Sequence, residues 1–198
     1  MTATNPWLTR PPGADDDQVP AVTAPPVAPL TGPSGPQSGV PLPDPEYCLP
    51  VAAYSPRGVR LWVVGAHGGS GESTLELLDD SWRAAGHVWP AAGHGQQAVL
   101  LAARTSERGL MRARGALAQW GAGAVPHVDL LGLVLIADAP GRLPKPLKDL
   151  SRLVAGGAPR CWSVPWVEAW RMGDAPGEGG LPRQVRRLVR DVSSLVVA

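Results

Sequence analysis

The sequence predicts a three-layer α/β domain, a mostly parallel sheet covered by helices, carried behind a disordered proline-rich arm. Three observations predict it. Short apolar runs alternate with helix-like stretches through residues 56–198, and the first of these runs feeds a glycine cluster. In contrast, 13 of the 23 prolines fall within residues 1–50. Alternation of this kind joins parallel strands through helices and places ligands at the carboxyl ends of the strands.

Taken in order, residues 1–55 form the arm. Besides proline they hold Gly, Ser, Ala and an acidic patch at Asp15, Asp16 and Asp17. Proline removes backbone donors and favours extended conformers, and the segment has few large apolar residues to offset its ordering entropy. The composition suits a linker or a ligand for a proline-reading domain.

Leu61–Val64 reads as the first strand and Glu72–Ala85 as the first helix. Ala98–Ala103 is a second strand, followed by a helix over Ser106–Trp120 with Leu110, Leu117 and Trp120 at helical spacing. Leu130–Ala137 is the most apolar run and reads as a strand covered on both faces. A helix over Pro146–Ala155 ends at Gly156-Gly157, Arg160–Val164 is a short strand, and Leu181–Val196 a closing helix.

Composition narrows the function classes. A net charge of +1 gives no global reason to expect a nucleic-acid partner. Lys145 and Lys148 are the only lysines, and Cys48 and Cys161 match no metal or redox spacing. His67, His87, His94 and His127 show no i, i+4 ligand pair, and no G-x-S-x-G elbow occurs. No apolar run approaches a membrane span and the N-terminus lacks a basic region before an apolar core, so the expectation is a cytoplasmic protein.

The chemistry concentrates in Arg60–Leu75. An apolar strand runs into Gly65, Gly68, Gly69 and Gly71, and a helix follows, the order that makes a phosphate-binding loop credible. From Ala66 the loop reads A-x-x-x-x-G-E-S, against the consensus G-x-x-x-x-G-K-[ST]. Glu72 therefore stands where a lysine should touch the β- and γ-phosphates. A carboxylate about 4 Å from a phosphate charge costs on the order of 4 kcal/mol at an effective dielectric of 20. Backbone amides still attract an anion, so weak phosphate binding survives this exchange more easily than phosphoryl transfer, which needs positioned positive charge. Arg104, Arg108 or a second subunit could supply that charge in space. A structural reading also accounts for the loop: Ser73-Thr-Leu-Glu76 has the form of a capping box, with Ser73 capping the helix and Glu76 reaching back.

The stretch His67-Gly68-Gly69-Ser70-Gly71-Glu72-Ser73 resembles the K-G-G-x-G-K-[ST] loop of the deviant-Walker P-loop ATPases, the ParA/MinD group of partition and cell-division positioning proteins. Both group lysines are replaced, by His67 and Glu72. The resemblance covers about residues 58–198 in order of elements, and the glycine loop alone matches as a motif. It implies ATP or another nucleotide with Mg2+ as cofactor, held by Gly65, His67, Gly68, Gly69, Ser70, Gly71, Glu72, Ser73 and Thr74, with Trp166 near the base and Ser73 on the metal. The group's magnesium-ordering aspartate lies on a strand ending in D-x-P-[PA]-G, and Gly86–Gln97 contains no such strand. Asp138-Ala-Pro-Gly141 has that look on a later, base-side strand, so Asp138 is either a magnesium-ordering residue or a strand-ending turn. The whole chain is also similar to an actinobacterial protein family carrying G-A-H-G-G-x-G-E-S-T, D-A-P-G-R-L-P and P-W-V-E-A-W-R, a resemblance that implies no activity.

Two further features have paired readings. Trp162, Trp166 and Trp170 fall at helical spacing and suit core packing, or base stacking at Trp166. Leu181, Val185, Leu188, Val192 and Leu195 make an apolar stripe beside Arg183, Arg186, Arg187 and Arg190. That segment either docks on the sheet or binds an anionic lipid surface or DNA. The expectation is a catalytically impaired nucleotide-fold protein that acts through a protein partner or homodimer. The alternative is an active deviant-Walker ATPase completed by a dimer or partner.

Overall fold

The computed structural model describes residues 28–54, 58–91, 95–177 and 180–197. It is a mixed α/β fold. The strands are β1 (Val51–Ala53), β2 (Leu61–Gly65), β3 (Trp82–Gly86), β4 (Trp89–Ala91), β5 (Gln97–Arg104), β6 (Val128–Ile136) and β7 (Cys161–Val164). The helices are α1 (Glu72–Glu76), α2 (Glu107–Gly121), α3 (Lys145–Ala155), α4 (Glu168–Met172) and α5 (Arg183–Val197). A five-stranded sheet has the order β3-β2-β5-β6-β7, with every pair parallel. β1 and β4 form a separate two-stranded parallel sheet.

Strand side chains alternate between faces, so a strand covered on both sides must be apolar throughout. Trp62 and Val64 of β2 join Val99, Leu101 and Ala103 of β5 on the face covered by α2 and α3. Leu61 and Val63 join Leu100 and Ala102 on the face covered by α1 and α5. This explains why β2, β5 and β6 read as unbroken apolar runs. The closing helix docks on the sheet: Val185, Leu188 and Val192 are fully buried, and its buried Asp191 accepts a hydrogen bond from Trp162 Nε1 at 3.2 Å.

The first helix is far shorter than the predicted Glu72–Ala85. It ends at Glu76, and Asp79 then closes a turn by accepting hydrogen bonds from the amide and hydroxyl of Ser81. Leu75, Leu78, Trp82 and Ala85 have helical spacing, but Trp82 instead opens an edge strand paired with Leu61 of β2. A strand therefore lies where the sequence predicts the end of the first helix, and neither it nor β4 carries the aspartate motif. Nor does one helix carry the three tryptophans. Trp162 is buried on β7, whereas Trp166 precedes the short α4 and Trp170 lies within it, both half-buried.

The predicted arm is corrected over residues 28–54, and residues 1–27 lie outside the described residues. The ordered part crosses the domain by borrowing its surface. Thr31 N donates to Pro159 O at 2.8 Å and Gln37 N to Gly121 O at 2.8 Å. A 3-10 turn, Pro45–Tyr47, lies against Gly115 of α2, where a Cβ would fall 2.7 Å from Tyr47 O. Arg112 stacks over the Tyr47 ring at 5.1 Å. β1 then pairs with β4, and Tyr54 meets Trp62 with ring centroids 4.6 Å apart. Proline's missing donors are no handicap here, because the segment bonds through its non-proline groups.

Candidate functional site

β2 sits between β3 and β5, so the chain steps to one side for β3 and returns across β2 to β5. The crevice at the carboxyl ends of β2 and β5 is where open α/β sheets bind ligands. Residues 66–71 fill it. Ala66 N extends the ladder by donating to Ala102 O at 2.9 Å, and Ser70 N closes a turn onto His67 O at 3.2 Å. Gly71 is the N-cap residue of α1 with φ +97°, a left-handed conformation that favours glycine. Ser73 is thus inside the first turn and exposed, so the predicted capping box does not form.

His67 does not point a free nitrogen at the crevice, as the sequence reading allowed. Its Nε2 accepts from Arg104 N at 3.1 Å, which leaves the Nδ1 proton to donate to Gly68 O at 2.9 Å. The ring staples the loop to the end of β5 instead. Arg104 adds a second tie, donating from Nε to Gly69 O at 3.1 Å and from Nη1 to Ala137 O at 2.9 Å.

Glu72 turns back beneath the loop. Its carboxylate accepts from the buried Ser70 hydroxyl and lies 3.2 Å from His87 Nε2, just beyond β3. The Glu72 side chain is 13% exposed and that of His87 44%. Gly65 makes room for this arrangement, since a Cβ there would sit 2.9 Å from Glu72 Oε2. The loop therefore carries an internal anion between the ends of β2 and β3. His87 belongs to the site although its sequence spacing shows no ligand pair. It follows a segment read as helix, so its place at a strand end had no local signal.

On the other side of the loop, Gly71, Thr74, Arg104, Trp166, Trp170 and Arg171 line a cavity of about 120 Å³. The structure thus brings Trp166 beside Gly71 and Thr74. Trp166 Nε1 donates to Glu168 Oε2 at 2.6 Å. The volume is below the roughly 300–1,000 Å³ usual for small-molecule sites. Asp138 is elsewhere. It is exposed, its amide donates to Thr105 Oγ1 at 3.1 Å, and it lines a separate cleft of about 440 Å³ with Ser106, Arg142 and Ser163. β6 is two places from β2 in the sheet, so Asp138 is not gathered with Ser73.

These residues do not fit a magnesium-bound nucleotide. A carboxylate occupies the underside of the loop, His67 is committed to backbone partners, and the two proposed metal residues lie apart. Partly buried Cys161, with its thiol pushed up to about 12 by desolvation, faces a different cleft beside Ala28 and Trp162.

The chain belongs to a family described as a family of unknown function (DUF6668), whose model matches residues 59–189. No curated protein and no solved structure matches it.

Proposed function

We propose that this chain is a P-loop-derived, ParA/MinD-like protein that has lost phosphoryl transfer and acts in the cytoplasm by binding a protein partner or a second copy of itself. The position of Glu72 supports this reading best. Its carboxylate, held by Ser70 and beside His87 beneath the loop, gives the loop a negative charge in place of the lysine's positive one, which phosphoryl transfer needs. At about 4 Å and an effective dielectric of 20 the repulsion is on the order of 4 kcal/mol per phosphate charge. Any nucleotide or phosphate then binds weakly or not at all. No helix among the described residues is long and apolar enough to cross a membrane.

An active deviant-Walker ATPase for plasmid partition or cell-division positioning, completed by a dimer or partner, is the second reading. Arg104 favours it, because its guanidinium lies over Gly69 and beside Gly71, a cation close to the loop.

Titration of the full chain with ATP, GTP and their diphosphates, with and without magnesium, separates the two. The expected result is negligible turnover, with Glu72→Lys tightening phosphate or nucleotide binding at least tenfold, about 1.4 kcal/mol. Magnesium-dependent hydrolysis near 1 per second, abolished by Ser73→Ala, would refute the first reading and leave the second.

A further inference from the structure

We propose that the cleft at the ends of β5, β6 and β7 binds a small zwitterion with an apolar body, the chemistry of an apolar α-amino acid or a short apolar peptide. The site is separate from the glycine loop, since Gly71, Glu72 and His87 take no part in its lining. Its volume of about 440 Å³ falls within the roughly 300–1,000 Å³ usual for small-molecule sites. The three strands are neighbours in the sheet, so their carboxyl ends open together, on the side where α/β sheets hold ligands.

The fold itself fixes the walls. Every residue of the 137–144 loop, which joins β6 to α3, lines the cleft. Gly141 turns that loop with φ +90°, a conformation that favours glycine. Ala137 N donates to Val164 O at 2.9 Å, and Asp138 N to Thr105 Oγ1 at 3.1 Å. At the other end Lys148 N donates to Pro144 O at 2.9 Å. The loop is thus tied to the ends of β5 and β7 and to the first turn of α3. A site held in this way needs little ordering when a ligand enters.

The lining states what that ligand must carry. Buried Leu135 and Val164, with half-buried Leu147, give the cleft an apolar surface. Asp138 and Arg142, both exposed, are the charged residues that line it among the described residues. They do not form an ion pair with each other. A purely anionic ligand would meet repulsion from Asp138, and a purely cationic one from Arg142. A neutral apolar molecule would engage neither charge. An α-ammonium against Asp138, an α-carboxylate against Arg142 and an apolar side chain on Leu135 and Val164 use the whole lining. Arginine suits the carboxylate because its parallel N–H donors match the two oxygens.

Calorimetric titration of the full chain with L-leucine and with the dipeptide Leu-Leu tests this. The N-acetylated forms, which lack the ammonium, and the C-amidated forms, which lack the carboxylate, are the comparisons. At least one of the two unmodified ligands should bind, and the tighter of them identifies the source as free amino acid or peptide. Acetylation and Asp138→Asn should each weaken that binding at least about tenfold, as should amidation and Arg142→Gln. Both substitutions fall at exposed positions, and an unchanged melting temperature checks that the variants fold. If one does not, the acetylated and amidated ligands make the same comparison on the unaltered protein. No binding of either ligand, equal binding of the blocked forms, or affinities untouched by both substitutions would each overturn the proposal.

Discussion

Replacing Gln119 with leucine should detach the 28–54 segment from the domain. Gln119 is buried on α2, where its Oε1 accepts from Leu49 N at 2.9 Å and Trp89 Nε1 at 2.8 Å, and its Nε2 donates to Leu49 O at 2.9 Å. Leucine has a similar volume and no polar atoms. Three buried groups, the Leu49 amide and carbonyl and the Trp89 indole, would lose their partners together. A buried polar group left unsatisfied costs about 1–3 kcal/mol, and partial relaxation toward water would recover some of it. The expected loss is therefore about 3–6 kcal/mol, a large share of the roughly 5–15 kcal/mol that holds a domain together. Urea unfolding followed by tryptophan fluorescence gives the stability, and hydrogen exchange gives the protection of the Leu49 amide. A loss below about 1 kcal/mol, with Leu49 still protected, would refute the clasp.

Two other consequences concern the core and the partly buried thiol. Leu188→Asp places a charge among fully buried side chains and should unfold the domain or lower its stability by at least about 3 kcal/mol, read by circular dichroism. A variant with an unchanged melt that no longer pelleted with anionic vesicles would refute the docked role of α5. Burial raises the Cys161 thiol from 9.0 to about 12, so the folded state holds that proton more tightly than the unfolded state. Its contribution to stability is complete below about pH 9 and falls as pH rises from there towards 12. The stability difference between the unaltered protein and Cys161→Ala should shrink across that window, and a constant difference would contradict it.

Apolar patterning by itself determined the central architecture. The runs at Leu61–Val64, Ala98–Ala103 and Leu130–Ala137 are apolar at every register position because helices cover both faces of β2, β5 and β6. The apolar stripe through Val185, Leu188 and Val192 likewise marked an amphipathic closing helix, whose docking on the sheet the tertiary structure decided, and the glycines marked the loop. Tertiary structure alone decided three other matters. Leu75–Ala85 has helical spacing, but pairing of Trp82 with Leu61 at the open edge of β2 outweighs a local preference that five helical residues already satisfy. Residues 28–54 have too little apolar surface for a core of their own, and they order because Gln119 and Gly115 of α2 supply the bonds and the space they lack. Glu72 could be read as a missing lysine, but not as half of a pair. His87 lies fifteen positions away, and the parallel pairing of β2 with β3 brings the two strand ends, and so the carboxylate and the imidazole, within 3.2 Å.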